Sequence, residues 1–387
     1  MATERIRPAD AAACARAVTD AAAASRSLRV RGSGTKDYVG ELVPTEAILE
    51  TTALSGVVAH VPADLTVTVA GGTRFAEVRA ALAHAGQFLP LDPPHSDAAT
   101  IGGIVAANST GFWRARYGGV RDLLIGTTAV LGDGTIARSG GRVVKNVAGY
   151  DLNKLFVGSL GTLGVLVECT FKVLPRPPVS SGAHAQFARH ADAFSAADAI
   201  ARTSARPAAL AISGGPDGAW ELLLQADGDA APVARTLELL SQAARVHGTT
   251  AQPHEGVPAV LATLNEISAL GDGAVVRAAL PLAAQPAFAT TAARMEGFTQ
   301  LVADAASGIL RVVIRGDDAA VRHSVDALLA AARVCGGSAR VERRPESLRP
   351  RLRAWGDAEP AGLFLMRRLK DAFDPRGILE PGRAAIG

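Results

Sequence analysis

The sequence has few cysteines, few aromatic residues and no long apolar run. Aromatic residues make up 4% of the 387 positions, and the three cysteines are Cys14, Cys169 and Cys335. They form no C-x-x-C pair, which excludes an obvious zinc or iron–sulfur ligand set and favours a reducing compartment. No stretch offers the roughly 18 consecutive apolar residues of a spanning helix. Glu4, Pro8 and Asp10 interrupt the apolar core that a secretory signal needs, which indicates a cytoplasmic protein.

A large excess of one charge is also missing. The chain has 40 basic and 37 acidic residues, for a net charge of +3. That balance, with no basic run interleaved with aromatics, argues against nucleic-acid binding. An apolar fraction of 48% and a charged fraction of 20% fit a globular protein, and the length predicts two or three domains.

Glycine is abundant and unevenly spread. Fourteen of the 40 glycines fall between Ile101 and Val165. Glycine is costly inside helices and strands, so this density indicates positive φ angles or close backbone approach to a ligand. Short β-branched segments between the glycines predict short strands, whose connecting loops expose backbone N–H groups that bind anions. The stretch therefore predicts a ligand with a diphosphate, held mainly by backbone.

The hydrophobic pattern predicts an α+β protein with a boundary at the proline cluster in residues 176–179. Before it we expect helices at 8–24 and 75–85, strands at 28–30, 48–51, 57–61, 65–70 and 168–174, and a hairpin at Asp133–Gly134. After it we expect strands at 208–213, 220–225, 274–280, 309–314 and 338–341, and helices at 233–246, 317–334 and 363–372. Antiparallel strands with helices on one face predict an α+β sandwich of ferredoxin-like halves.

Several short motifs carry the chemistry. RGSGTK (31–36) is a candidate anion-binding loop, although it fits neither G-x-G-x-x-G nor G-x-x-x-x-G-K-[ST] and no helix is predicted after it. Taken alone, it is an ordinary glycine turn. It is followed in order by PPHSDAATIGGIVAANSTG (93–111), RYGGVRD (116–122), GGRVVKNVAGYDLNKL (140–155), GSLGTLGV (158–165) and FDPRGILEPGR (373–383).

This ordered set resembles the FAD-binding domain of the p-cresol methylhydroxylase and vanillyl-alcohol oxidase flavoproteins. Within that family it resembles the FAD-binding E subunits of bacterial glycolate oxidases (glycolate dehydrogenases). The resemblance implies an α+β fold with an FAD-binding domain at 1–178, in two α+β subdomains of about 1–56 and 57–178. It also implies a smaller α+β, ferredoxin-like cap domain at 179–345 and a C-terminal segment at 346–387 that packs back on the FAD domain.

The resemblance further implies the residues that hold FAD. The first pyrophosphate loop, the second phosphate and ribityl segment, and the turn that meets adenine or flavin are represented by Arg31, Gly32, Ser33, Gly34, Thr35, Pro94, Ser96, Thr100, Gly102, Gly103, Asn108, Ser109, Gly111, Gly161, Thr162, Gly164 and Val165. Many relatives carry a covalently flavinylated histidine where Thr35 stands, so we expect noncovalent FAD. His95 lies near a proposed flavin loop but not at the attachment position.

Five basic residues lie in the same stretch: Arg114, Arg116, Arg121, Lys145 and Lys154. They either compensate the charge of a diphosphate, a reduced flavin or a substrate carboxylate, or lie on a solvated loop with local pairs such as Arg121–Asp122 and Asp151–Lys154. We favour the solvated loop for Arg114 and Lys154 and leave the other three open. Tyr117 and Tyr150 either line the flavin or pack in the core or at the rim.

One absence bears on catalysis. Relatives that oxidise D-2-hydroxy acids carry a late H-x-G-D-G-N-type motif, which supplies metal-binding and basic histidines, and this sequence lacks it. The remaining pairs, His184 with His190 and His247 with His254, are spaced unlike metal ligands and are interpreted as surface residues; His323 is assigned to a structural helix. No catalytic residue and no metal site is assigned.

The preferred hypothesis is the FAD-binding subunit of a glycolate oxidase-type 2-hydroxy-acid dehydrogenase complex, which converts glycolate to glyoxylate. Its flavin would be structural or electron-relaying. The implied partners are a larger FAD-containing catalytic subunit and an iron–sulfur subunit, with membrane contact, if any, peripheral and through that complex. The alternatives are a stand-alone FAD-linked 2-hydroxy-acid dehydrogenase and a flavin-free assembly protein that kept the fold.

Overall fold

The computed structural model describes residues 4–141, 150–269, 272–356 and 362–385. The chain divides into two compact units by its internal contacts. The first comprises Met1–Thr110, Gly118–Arg176 and Ala358–Gly387, and the second comprises Gly111–Tyr117 and Pro177–Asp357. Among the described residues, no helix combines the length and apolar character that crossing a membrane requires.

Strands and short helices alternate up to Pro175. The strands are β1 (Glu4–Ile6), β2 (Leu28–Arg31), β3 (Ala47–Glu50), β4 (Val57–Val61), β5 (Thr66–Ala70), β6 (Gln87–Phe88), β7 (Leu124–Val130), β8 (Ile136–Gly140), β9 (Val165–Lys172) and β10 (Leu174–Pro175). The helices are α1 (Ala11–Ala23), α2 (Phe75–Ala83), α3 (Ile101–Ala107), α4 (Arg114–Tyr117) and α5 (Val120–Leu123).

Two main sheets form the first unit in the described part of the chain. The parallel sheet has the order β1-β3-β2, and the antiparallel sheet has the order β4-β5-β9-β7-β8, with β6 and β10 forming a small separate pair. The predicted hairpin at Asp133–Gly134 is confirmed, because β7 and β8 pair antiparallel across it and Gly134 adopts a φ of 87°. The core of the larger sheet packs under α2 and α3, through residues such as Phe75, Ile104 and Phe171.

Local chemistry explains where the helices begin. α1 starts at Ala11 rather than at Pro8, because the Asp10 side chain caps it by accepting a hydrogen bond from the Ala13 N–H at 2.6 Å. α3 was not predicted at all, because Gly102 and Gly103 lower helix propensity at its first turn. Thr100 offsets that cost by capping the helix, with its Oγ1 3.4 Å from the Gly103 nitrogen.

The strands in the second half of the chain are longer on average. Its strands are β11 (Val179–Phe187), β12 (Ala209–Gly214), β13 (Trp220–Gly228), β14 (Ala251–Pro253), β15 (Ala274–Ala279), β16 (Phe298–Asp304), β17 (Ile309–Ile314) and β18 (Ser338–Arg343). Its helices are α6 (His190–Ala201), α7 (Ala230–Val246), α8 (Val257–Asn265), α9 (Gln285–Ala292) and α10 (Asp318–Val334), and α11 (Leu363–Phe373) follows in the part that belongs to the first unit.

The second unit is built from two ferredoxin-like halves, as predicted. Its described strands form one sheet with the order β14-β11-β13-β12-β16-β17-β15-β18. Each half runs strand–helix–strand–strand–helix–strand, and the halves join where β12 pairs with β16. Helices α6, α7, α9 and α10 pack on one face through a large apolar cluster.

The prediction that all helices lie on one face is wrong for α8. Its Val257 and Leu261 pack with Leu223, Val302 and Phe112 on the opposite face of the sheet. Strand alternation makes this possible, because β13 turns Leu222 and Leu224 to one face and Leu223 to the other. The apolar centre of this second face is therefore covered by α8 and Phe112.

Candidate functional site

A cleft in the first unit gathers the glycine-rich loops. Its empty volume is about 620 Å³, open mouth included. Residues from the loop after β2, from the start of α3, and from the turn before β9 line it. The predicted cofactor residues that the structure brings together there are Arg31, Gly32, Ser33, Gly34, Thr35, Thr100, Gly102, Gly103, Gly161 and Gly164.

The loop after β2 approaches α3 closely. A Cβ on Gly32 would clash with Thr100 Oγ1, so only glycine fits beside the helix cap. Gly34 has a φ of 81°, which lets the chain turn back toward Asp37, whose N–H donates to the Gly34 carbonyl at 3.1 Å. No helix follows this loop, as predicted. The Ser33 hydroxyl is buried in the cleft lining with no hydrogen-bond partner, so a donor or acceptor is available to a ligand.

The start of α3 and the turn before β9 form the other walls. A Cβ on Gly102 would lie 2.9 Å from the Gly71 carbonyl oxygen, so the helix begins against the Gly71–Gly72 turn. In the second wall, Leu160, Gly161 and Gly164 adopt φ angles of 55°, 83° and 157°. Such positive φ values explain the glycines of GSLGTLGV and present the backbone to the cleft.

Seven predicted cofactor residues do not line this cleft: Pro94, Ser96, Asn108, Ser109, Gly111, Thr162 and Val165. Asn108 ends α3 with a φ of 48°, and the Thr162 hydroxyl donates to the Ser159 carbonyl at 2.7 Å. Val165 is a fully buried core residue at the start of β9. Gly111 belongs to the second unit by its contacts. The sequence motif placed them near the loops but could not show which of them reach the cleft.

Two buried cations in the lining were not assigned from the sequence. Lys36 lies at the end of RGSGTK, and its Nζ donates to the Pro94 carbonyl at 2.6 Å. Arg383 ends FDPRGILEPGR, and its Nη2 donates to the Lys36 carbonyl at 3.1 Å. The sequence contained a signal for both residues, because each is the last residue of a motif that carries the resemblance. Only the fold shows that residues 347 positions apart meet.

Carboxylates fix these cations and their neighbours. Asp37 accepts from Arg31 at 2.9 Å and from Arg29 at 3.0 Å, and Glu380 accepts from Arg383 at 2.8 Å. Burial raises the pKa of Glu380 above its ordinary value of 4.5, although Arg383 and the N–H of Val30 favour its ionised form. The arginine side chains are therefore held in place before any ligand arrives.

The C-terminal segment is built into the same unit. Leu28 N–H donates to Ile378 O at 2.7 Å, and Glu380 N–H donates to Leu28 O at 2.8 Å. The Lys370 ammonium donates to the carbonyl of Thr162 at 2.9 Å and to that of Leu379 at 2.7 Å. These bonds hold the FDPRGILEPGR motif against β2 and against the turn that carries Gly161.

The other basic residues have structural partners. Arg116 donates to Arg206 O at 2.9 Å, and the Tyr117 hydroxyl donates to Asp227 Oδ2 at 2.7 Å, both within the second unit. The Lys154 ammonium donates to the carbonyls of Arg121 and Leu124. Burial lowers the pKa of Lys154, whose side chain is half-buried against this loop rather than fully solvated.

Arg121 donates to the Lys154 carbonyl at 3.4 Å and is itself exposed. Tyr150 is 91% exposed. Arg114 lies on α4 in the second unit, and its solvated role stays a prediction. Lys145 lies outside the described residues.

The predicted surface histidines are in fact half-buried within the second unit. His184 Nδ1 lies 2.5 Å from Glu221 Oε1, and its ring lies 5.0 Å from that of His254. His247 and His190 have their own polar partners, Asp192 at 3.4 Å and Thr290 at 2.9 Å. Among the described residues, no three His, Cys, Asp or Glu side chains are grouped as metal ligands.

The cleft suits the diphosphate of FAD on several structural grounds. Its glycines leave no room for side chains, the Ser33 hydroxyl is unpartnered, and the lining contains more positive than negative charge. A diphosphate among backbone amides and fixed cations gains charge-assisted hydrogen bonds. The residues present therefore fit the cofactor that the sequence predicted.

Comparison with known families supports this fit. The FAD binding domain family matches residues 4–140, and the C-terminal domain of FAD linked oxidases matches residues 355–384. The glycolate oxidase subunit GlcE of Escherichia coli (strain K12) is 46% identical over 154 residues, which cover 40% of this chain and 44% of that protein. The glycolate oxidase subunit GlcD of Bacillus subtilis (strain 168) is 41% identical over 149 residues, covering 38% and 32%.

A D-lactate dehydrogenase of Archaeoglobus fulgidus is 37% identical over 153 residues, which cover 38% of this chain and 33% of that protein. The aligned regions thus span less than half the length of these curated relatives. The predicted resemblance to a glycolate oxidase FAD subunit is confirmed by the match to GlcE.

Solved structures match over nearly the whole chain. p-Cresol methylhydroxylase with substrate bound has a TM-score of 0.76 at 16% identity, covering 99% of this chain and 88% of that one. Alkyldihydroxyacetonephosphate synthase has a TM-score of 0.75 at 16% identity, covering 98% and 77%. At such identities the likeness establishes the fold, and it confirms the predicted p-cresol methylhydroxylase-type α+β architecture.

Proposed function

We propose that this chain, which contains an FAD binding domain of the p-cresol methylhydroxylase type, is the FAD-binding subunit of a 2-hydroxy-acid dehydrogenase complex. The substrate class is a small 2-hydroxy acid, with glycolate oxidised to glyoxylate as the leading case. The observation that carries the proposal is the glycine-walled, positively charged cleft within the region that matches the FAD binding domain. When bound, FAD supplies a two-electron acceptor for oxidation of a CH–OH group.

The chain's own residues bind and orient the cofactor in this proposal. The loop of residues 31–35, the start of α3 with Thr100, Gly102 and Gly103, and the turn with Gly161 and Gly164 hold it through backbone and hydroxyl groups. Pro94, Ser96, Asn108, Ser109, Thr162 and Val165 lie outside the cleft lining, and in this proposal they support these loops.

We assign the oxidation of substrate to a partner subunit. Asp37 is the lone carboxylate among the described lining residues, where no histidine lies, and it is paired with two arginines. A general base must be able to take a proton from the substrate hydroxyl, and an ion-paired carboxylate is a poor one. The late histidine motif is also missing from the sequence. The flavin of this chain is then structural or electron-relaying.

The partners in this proposal are a larger FAD-containing subunit and an iron–sulfur subunit. Two of the relatives are named as subunits of a glycolate oxidase, which supports an assembly of several chains. The complex is cytoplasmic, with any membrane contact peripheral. The flavin is noncovalent, because Thr35 has no imidazole with which to form a flavin linkage.

Expression of this chain alone and co-purification from its native host test the proposal together. The expected results are a yellow protein that does not reduce dye with glycolate when alone, and a glycolate-active assembly containing flavin and iron when co-purified. Full-rate glycolate-dependent dye reduction by the isolated chain would identify a stand-alone dehydrogenase. An isolated chain that binds no FAD would identify an assembly protein.

A further inference from the structure

We propose that Lys36 and Arg383 supply the positive charge that neutralises the diphosphate of the bound dinucleotide. This inference rests on the proposed FAD binding and adds two side chains to a site otherwise built from backbone. It also assigns a role to the last residue of the FDPRGILEPGR motif. The ligand class is a nucleoside diphosphate, recognised through its two adjacent phosphates.

Charge counting supports this role. Among the described residues that line the cleft, the charged side chains are Arg31, Lys36, Asp37 and Arg383, which leaves a surplus of two positive charges. Two flanking side chains, Arg29 paired with Asp37 and Glu380 paired with Arg383, add one charge of each sign and do not change the surplus. A diphosphate diester carries one negative charge on each phosphate and so matches the surplus.

The two cations are fixed by buried hydrogen bonds in the lining of the cleft. Lys36 is 7% exposed and Arg383 is 6% exposed, so both charges lie where water screens them little. The Arg383 guanidinium donates to Lys36 O at 3.1 Å and to Val39 O at 3.4 Å, and the N–H of Glu41 donates to Arg383 O at 3.0 Å. These bonds tie the C-terminal arginine to the loop that carries the lysine.

A buried polar atom without a partner indicates that a ligand binds in this cleft. Ser33 Oγ in the lining is buried without a hydrogen-bond partner. Buried donors are rarely left unpaired, because each loses its hydration energy. Phosphate oxygens accept a hydrogen bond from a hydroxyl such as that of Ser33, and they attract the ammonium of Lys36.

Ligand specificity provides a test with the unmodified protein. Apoprotein is titrated with FAD, and ADP, AMP and adenosine are compared as competitors. ADP is expected to compete at least tenfold better than AMP, because it carries the second phosphate, and to weaken as salt rises. Equal competition by ADP, AMP and adenosine would overturn the inference.

Charge-removing variants test the two residues. Lys36→Gln and Arg383→Gln are each expected to weaken FAD about tenfold to a hundredfold, the loss typical of a hydrogen bond to a charged group, while Lys36→Arg retains most of the affinity. Arg368→Gln is the matched control, because Arg368 is exposed on α11. Riboflavin, which has no phosphate, should bind all variants alike. Circular dichroism checks that each variant is folded.

The outcomes separate this inference from the proposed function. FAD affinity within twofold of wild type in folded Lys36→Gln and Arg383→Gln would overturn the inference and leave the FAD site standing. Failure of the wild-type apoprotein to bind FAD or ADP at all would overturn the proposed function itself. A loss in Lys36→Arg equal to that in Lys36→Gln would show that shape, and not charge, is what matters, and would count against the inference.

Discussion

Glu342 in the second unit and Glu380 in the first are both buried carboxylates with arginine partners, yet their surroundings differ. Glu342 accepts from Arg311 at 2.8 Å, from Arg340 at 3.1 Å and from Ser268 at 2.5 Å, and Arg277 lies 3.8 Å away. These arginines hold the pKa of Glu342 well below its ordinary value against the cost of burial. Glu380 has Arg383 at 2.8 Å and a raised pKa, because burial there outweighs its partners.

The difference lies in what the cations surround. In the second unit a carboxylate is the centre of the arginine cluster, and burial with like-charged neighbours lowers the pKa of Arg277 to about 9. In the first unit a cleft lies among Arg31, Lys36 and Arg383, and Glu380 is outside its lining. One cluster is closed around its own anion. The other cluster lines an open cleft.

The largest effect is expected for Glu342→Gln. Removing the central anion leaves three neighbouring guanidinium groups uncompensated, which should lower the free energy of unfolding by about 3–5 kcal/mol. Urea denaturation monitored by circular dichroism measures it. Glu346→Gln is the control, because the Glu346 side chain is 83% exposed and its pair with Arg349 should contribute less than about 1 kcal/mol. Equal losses in the two variants would show that the arginine cluster does not depend on its central carboxylate.

Gly32→Ala should damage the cleft and spare the second unit. The new methyl group collides with Thr100 Oγ1 and pushes the pyrophosphate loop away from α3, so FAD affinity should fall about a hundredfold or more. Equilibrium titration of apoprotein with FAD gives the value. Gly218→Ala, where a Cβ meets no atom within 4 Å, is the control and should bind FAD normally. Wild-type affinity in Gly32→Ala would remove this loop from the site.

The pH dependence of stability in Glu380→Gln tests the difference between the two buried carboxylates. Because the folded state raises the pKa of Glu380 above 4.5, the stability from the protonated form is complete below that value and is lost as pH rises through the folded pKa. The stability of wild type relative to Glu380→Gln should therefore fall as pH rises above 4.5.

Glu342 should give the opposite slope. Its pKa is lowered, so its stabilising contribution is present above 4.5 and is lost as pH falls below that value. Wild type should therefore lose its advantage over Glu342→Gln in acid. Parallel pH profiles for the two variants, from unfolding curves at several pH values, would contradict the assigned difference between the two sites.

Tyr117→Phe should have the smallest effect. It removes the hydroxyl that donates to Asp227 Oδ2 at 2.7 Å, while Ser180 at 2.6 Å and Gln225 at 3.1 Å still donate to the other oxygen, Oδ1. The expected loss is about 1 kcal/mol in the free energy of unfolding, with FAD affinity unchanged. A change in FAD affinity would show that this network contributes to the cofactor site.

Local patterns were sufficient for much of the fold. Strand 309–314 and the Asp133–Gly134 hairpin were predicted because their signals lie within a few residues of one another. α3 was missed because its stability comes from the Thr100 cap and from packing of Ile101 and Ile104, which outweigh two glycines. β11 was missed, and its partners in the sheet, β13 and β14, lie far away in sequence.

The cleft was predictable only in part, for a similar reason. Glycine motifs indicated the loops of residues 31–35 and 161–164, because positive φ angles in the backbone favour glycine, which is visible in the sequence. Lys36 and Arg383 each end one of the motifs, but their burial is not visible there, since a buried lysine and a surface lysine are identical in a single sequence. Their role emerges from one hydrogen bond between residues 347 positions apart.

The flavin content of purified protein, before and after acid precipitation, tests the central claim most directly. We expect about one FAD per chain, all of it released into the acid supernatant, because Thr35 offers no site of attachment. Flavin that stays with the precipitated protein would contradict the noncovalent assignment. Colourless protein that does not take up added FAD would contradict the cofactor site itself.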